Sequence, residues 1–378
     1  MLRTKNNLLV FAIKDKIYNS VFIMRGGKML NDRVKNIIRS SYLSAFDGGT
    51  REISYLILIG TKIISGNKSN DANSVDIDRL YDELVYYKYY SSMTDIYLLN
   101  FTLPLILTSR AYGLYQDQVI DLLGKVTKFY KQEYRKYDYI LDQYIYDSLY
   151  RYTLMNSKFD ILEFLYVIKE KLLIFNPYKE NKKENIGLQV RKIKYIDDLH
   201  SLISYFEIGE ERYQKEIKLN SSFLTLLREA YDGDGIIVDM GLESVKNVIT
   251  NLLYIEDKNY KMEENIKYKD VLNMKEFTKD RYNVREDISG LDLRFIQSMA
   301  DYCIRLRNNE INSIKYRDIY KQKSSPKKLL EYGVGDVFMD PVLNRSQVLT
   351  KEYKNQLCEM KIKTKTGIYG FVFRGKGD

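Results

Sequence analysis

The stretch Asp117–Met155, DQVIDLLGKVTKFYKQEYRKYDYILDQYIYDSLYRYTLM, decides the fold class. Val119, Leu122, Leu123, Val126 and Tyr130 recur at helical spacing, and Ile140, Tyr144 and Leu149 start a second stripe. Two amphipathic helices follow from that period. The same period extends in both directions. Upstream, Val34, Ile37, Ile38, Tyr42 and Ala45 share a face. Arg51–Ile64 makes a further helix, and Leu80, Leu84 and Tyr87 align on the next, opened by Val75 or Asp76. Downstream, Phe159–Phe175, Ile196–Phe206, Phe223–Ala230, Leu242–Tyr254 and Ile288–Leu306 read as helices, the first stopped by Asn176-Pro177.

The ends read differently. Leu8–Ile13 and Ile17–Met24 are strand-like around Lys14-Asp15-Lys16, and Gly26-Gly27 ends that pattern. Near the other end, Gly333–Asp340 and Val348 look extended. Cys358, Met360 and Ile362 alternate with Glu359, Lys361 and Lys363, and Thr364-Lys365-Thr366-Gly367 turns the chain. Tyr369, Phe371 and Phe373 alternate on the return. The expectation is a mainly α protein, a helical body with small β hairpins at the N- and C-termini. It divides into an N-terminal hairpin (1–30), a helical domain (31–177), a charged linker (178–195), a second helical region (196–306) and a basic tail with a hairpin (307–378).

Charge is sorted along this layout. Residues 1–39 carry nine Lys and Arg against two acids, residues 40–302 carry 35 against 41, and residues 303–378 carry 16 against eight. Cationic ends attract polyanions, because each neutralised phosphate releases a counterion. The apolar runs Leu8–Ile13, Tyr55–Ile59 and Phe101–Leu107 are far shorter than the ~20 residues of a membrane span. Two cysteines make neither a disulfide framework nor a zinc site. A soluble, cytoplasmic protein without a membrane partner is the expectation. The abundance of Lys, Ile, Asn and Tyr and the absence of Trp suit an AT-rich coding sequence of a bacterium, phage or virus.

Phosphate contact is expected from Arg305, Arg307, Lys315, Arg317, Lys321 and Lys323, and from the alternating row Lys361, Lys363 and Lys365. Tyr87 and Tyr89, in the run Tyr86–Tyr90, would add stacking on unpaired bases. A second aromatic-basic segment interleaves Lys125, Lys128, Lys131, Arg135 and Lys136 with tyrosines. No motif names a reaction, and no cofactor is expected. His200 is the only histidine, which leaves a His-based triad or multi-His metal site no basis. Asp340, Glu359 and Lys361 have the acid and acid-x-Lys arrangement of metal-dependent nucleases. Asp232-Gly233-Asp234-Gly235 reads as an acidic turn with part of a calcium-loop pattern. The leading expectation is a nucleic-acid-binding or assembly component, RNA or DNA, of a virus, phage or bacterial defence system. A hydrolase and a protein–protein scaffold that associates through opposite charges are the alternatives.

The order of segments over residues 31–254 resembles the ADP-ribosylglycohydrolase family of the all-helical, dinitrogenase-reductase-activating type. The resemblance rests on Asp32–Gly49, which ends in Ala45-Phe46-Asp47-Gly48-Gly49, and on the helical pair over Arg51–Tyr90. Asn100, Pro104-Leu105 and the helix over Gln116–Tyr130 continue it. That kinship implies a helical fold and hydrolysis of ADP-ribose linkages with two magnesium ions. The catalytic pattern departs from the family's. Where its paired acids belong, at Thr50-Arg51-Glu52, only Glu52 is acidic, and its late metal motif is reduced to Asp232-Gly233-Asp234. The resemblance therefore implies a non-catalytic relative.

Overall fold

The computed structural model describes residues 28–46, 51–66, 73–90, 97–208, 217–233, 241–255, 293–311, 325–364 and 367–374. Those residues are mainly helical, with a two-stranded sheet and a four-stranded antiparallel sheet. They fall into two compact units. One takes the described residues within 1–60, 72–75 and 95–256, and the other those within 61–71, 76–94 and 257–378.

The first unit holds α1 (Lys28–Ser44), most of α2 (Arg51–Lys62), α4 (Leu103–Thr108), α5 (Gln116–Phe129), α6 (Lys136–Met155), α7 (Ile161–Ile174), α8 (Lys182–Ile208), α9 (Ser222–Asp232) and α10 (Leu242–Tyr254). The decisive stretch forms α5 and α6, and α6 is the central helix. It packs against α1, α5, α7, α8, α9 and α10, and it is buried nearly all round from Tyr139 to Leu154. A helix enclosed on every side must satisfy any polar residue it carries. Asp147 does so with Arg151 one turn on (2.6 Å) and with the Tyr115 hydroxyl at 2.5 Å. Arg151 also donates to the Arg110 carbonyl at 2.6 Å. Asp142 accepts from the hydroxyls of Tyr97 (2.7 Å), Tyr195 (2.8 Å) and Ser221 (2.7 Å).

Residues 178–195, expected as a linker, are corrected by this arrangement. From Lys182 the chain is one 27-residue helix, α8. Its buried positions Leu188, Lys192, Tyr195, Leu199 and Leu202 return every three or four residues and lie on the packed side. The Lys192 ammonium enters that side and donates to the Leu173 and Phe175 carbonyls at the end of α7 (3.2 and 3.1 Å). The polar run 179–185 is only the turn before α8 and its first helical turn. Regions expected as separate, 31–177 and 196–306, thus share much of one unit.

The second unit contains α3 (Ile77–Tyr90), α11 (Leu293–Arg307) and the strands β3 (Val337–Asp340), β4 (Asn344–Lys354), β5 (Leu357–Thr364) and β6 (Gly367–Arg374). Asp76 caps α3 by accepting from the Arg79 backbone N–H at 3.0 Å. The strands run as an antiparallel meander in the order β3-β4-β5-β6. One face, with Val348, Met360, Ile362, Phe371 and Phe373, is buried, and β6 packs on α3. Tyr86, Tyr89 and Tyr90 meet Phe371, Phe373 and Tyr369 at ring separations of 6.4, 5.0 and 5.0 Å. Within α3, buried Glu83 holds Lys62 at 3.1 Å and Arg79 at 2.7 Å, and Arg79 reaches the Pro341 carbonyl at 2.7 Å.

The alternation expected for residues 357–373 is present, and β5 and β6 have the anticipated inner and outer residues. The N-terminal hairpin over 8–24 lies outside the described residues. The two-stranded sheet instead joins β1 (Ile64–Ser65) and β2 (Ser74–Val75), in a stretch read as a helix end and a loop. Among the described residues no helix is long and apolar enough to cross a membrane.

Candidate polyanion-binding face

The outer face of the four-stranded sheet carries a set of exposed cations. β5 directs Glu359, Lys361 and Lys363 outward, because its alternate residues Cys358, Met360 and Ile362 fill the core. Lys361 stands between Thr350 of β4 and Gly370 of β6, and Lys363 between Gln347 and Ile368. Neither lysine therefore has a charged residue directly opposite it. Gly370 leaves open space beside Lys361, since a Cβ there would meet nothing within 4 Å.

Neighbouring strands extend the face. Arg345 of β4 lies opposite exposed Met339, and Arg374 of β6 lies opposite Leu357 at the start of β5. Lys354 shares this face and pairs with Glu352 at 2.6 Å. That contact holds the Glu352 carboxyl below its usual range and lifts Lys354 above its own. Glu352 and Glu359 are directly opposite each other across the strands, with Lys361 beside them. The face thus carries five exposed cations and these two carboxylates, and among the described residues Arg345, Lys361, Lys363 and Arg374 make no ion pair. β5 is hydrogen-bonded on both sides, so its lysines do not serve to protect a sheet edge.

Several residues expected to share this role are placed elsewhere. Arg305 is exposed on α11, with Nε 3.9 Å from Glu310. Arg307 is corrected: it is only 3% exposed, on the packed side of the same helix, and has no surface to offer a phosphate. Tyr87 is corrected too. It is fully buried, edge-on to Tyr90 at 5.3 Å. Tyr89 spends its ring on Phe373. Stacking on bases is therefore not available from Tyr87, because α3 needs that side for its own packing. Lys315, Arg317, Lys321, Lys323 and Lys365 lie outside the described residues. In the second aromatic-basic segment Lys128 and Lys131 are exposed, and the other three cations have partners close by. Lys125 pairs with Asp121, Lys136 with Glu184 at 2.6 Å, and Arg135 lies over the rings of Tyr139 and Tyr97 (5.1 and 5.8 Å).

The carboxylates considered for chemistry are dispersed. Asp340 is buried on the inner face. It accepts from the Tyr86 hydroxyl at 2.7 Å and from the backbone N–H groups of Val342 and Leu343 (2.8 and 2.9 Å), which shapes the β3–β4 turn. Glu359 and Lys361 point from the opposite face, so the nuclease-like set does not assemble. Asp232 ends α9, where Gly233 (φ +78°) terminates the helix, and it accepts from the Tyr205 hydroxyl at 3.1 Å. Asp234 lies outside the described residues. His200 is exposed on α8, its Nδ1 3.2 Å from the Lys169 ammonium. Asn100 of the glycohydrolase-like segment is a buried brace that donates to the Tyr97 and Gly241 carbonyls (3.1 and 3.0 Å). Among the described residues no group of three His, Cys, Asp or Glu is placed to hold a metal ion.

Sequence reasoning missed Arg345, Lys354 and Arg374 as members of the face. The register of β4 shifts between Val348 and Thr350. Ser346 and Val348 point inward before the irregularity, and Thr350 and Glu352 point outward after it. A bulge reverses the parity of a strand, so no single period-2 pattern runs through β4. Comparison of the chain with protein-family models, with curated proteins and with solved structures found no match.

Proposed function

We propose that the protein binds the phosphate backbone of nucleic acid through the outer face of β3–β6. The observation that carries this reading is the cluster of Arg345, Lys361, Lys363 and Arg374, exposed together on one sheet face without an ion-pair partner among the described residues. Their like charges are costly together in water and are relieved by a polyanion. The described strands put no aromatic ring in the row with Lys361 and Lys363. Contact is therefore to phosphates rather than to stacked bases, and binding tolerates any sequence.

The test is the salt dependence of binding to labelled single-stranded DNA, duplex DNA and single-stranded RNA. Affinity should fall steeply with salt. The double variant K361E/K363E should weaken binding at least tenfold and reduce the magnitude of the log–log salt slope by about two. Both residues are exposed, so the melting temperature should stay near that of the wild type. Failure of all three probes to bind at low salt, or an unchanged slope in the variant, overturns the proposal.

A further inference from the structure

From Lys182 onward α8 packs one side on α6 and α7 and shows the other to solvent. Along that outward side the sequence reads Lys183, Ile186, Val190, Ile193, Asp197 and His200, each exposed. The three apolar members are 65%, 56% and 60% exposed. β-Branched residues are among the less favourable helix formers, and single lysines or glutamates would serve a solvated surface better. Leu173 and Ile174, also exposed, close α7 beside this half of α8, where Lys192 caps their end of the helix. The result is a contiguous apolar stripe framed by a cation at one end and an anion at the other.

The frame is symmetric about Val190. Lys183 lies seven residues before it and Asp197 seven after, about 10.5 Å along the axis in each direction. Ile186 and Ile193 lie one turn to either side. A two-fold axis through Val190 therefore brings two antiparallel copies of α8 into register. Val190 meets Val190, Ile186 lies beside Ile193 of the second copy, and Lys183 lies beside Asp197 of the second copy, twice over. Lys194, exposed between Ile193 and Asp197, covers Ile186 of the second copy with its methylenes and leaves its ammonium in water. Two-fold interfaces need a surface complementary to itself in this way.

We infer that the outward face of α8 is a self-association surface and that its occupant is a second copy of this chain, packed antiparallel across Val190. One helix face and two flanking residues make a small interface. The dissociation constant is accordingly expected in the range of about 10–100 μM.

Sedimentation velocity of the full chain over a concentration series spanning that range should show monomer passing to dimer, and V190D should raise the dissociation constant at least tenfold. K183E and D197K should each weaken association, while K183E/D197K, which rebuilds both pairs with reversed sign, should restore it. V190C should give a disulfide-linked dimer under mild oxidation, since a residue on a two-fold axis meets itself and both native cysteines are buried. A chain that stays monomeric throughout overturns the inference and leaves the stripe to a different partner. A dimer indifferent to V190D, or a double charge reversal no better than the single ones, also overturns it.

Discussion

Asp142 shows how one residue sets a pH dependence. Burial pushes its carboxyl up to about 6 from an ordinary 3.8, even though the hydroxyls of Ser221, Tyr97 and Tyr195 each favour the ionised form. Loss of hydration therefore outweighs three hydrogen bonds. A carboxyl raised in the folded state binds its proton more tightly there than in the unfolded chain. Its contribution to stability is complete below about 3.8 and is lost as pH rises through about 6. D142N removes that titration and keeps the side chain's shape. The stability of wild type relative to D142N should fall by on the order of 2–3 kcal/mol between pH 4 and pH 7 and level off above. Urea unfolding of both proteins across that range measures it. In the sequence Asp142 is not distinguishable as a buried acid, since an acid inside an apolar stripe looks the same whether it faces water or three hydroxyls.

At the scale of elements, close approach decides what a helix tolerates. Gly60 lies inside α2, where alanine normally improves a helix by about 1 kcal/mol. A Cβ at Gly60 would stand 2.6 Å from the Phe101 carbonyl oxygen and 3.4 Å from the Pro104 ring. Backbone cannot move aside as a side-chain tip can. G60A should therefore destabilise by roughly 1–3 kcal/mol, seen as a lower denaturation midpoint at unchanged m-value. Most of the helices were legible: Leu242–Tyr254 has its expected bounds, and α5, α7 and α9 begin and end within a few residues of theirs, whereas the first half of α8 was expected as a linker. Caps account for some of those limits. Asp160 accepts from the Glu163 N–H at 2.9 Å, and Ser221 accepts from the Leu224 N–H at 3.0 Å. β4 was not legible, because its bulge hides the alternation that exposed β5 and β6.

For the molecule as a whole, the two cysteines report on one unit. Cys303 of α11 and Cys358 of β5 are both buried and both belong to the second unit. Burial also pushes the Cys303 thiol well above its usual range, which keeps it from the reactive thiolate form. Iodoacetamide should leave both unmodified in the native protein for hours, and denaturant should expose both, as read by intact mass. Rapid native labelling of Cys303 would show that α11 opens on its own. Charge at this scale was only partly legible. The basic C-terminal segment was evident, but a sequence count gives Arg307 and Lys361 equal weight, and burial separates them.

Local periods, carried in neighbouring residues, were enough to establish most of the helices and the β5–β6 hairpin. The assignment of Lys361 and Lys363 to one side of a strand came from the same source, since backbone geometry ties side-chain direction to position. Tertiary packing alone decided the rest. It buried Arg307 and Tyr87, brought Arg345 and Arg374 onto the face with the lysines, and turned Ile186, Val190 and Ile193 to the outside. A period says which residues share a side; whether that side meets water or another element depends on segments distant in the chain, whose approach no local pattern records.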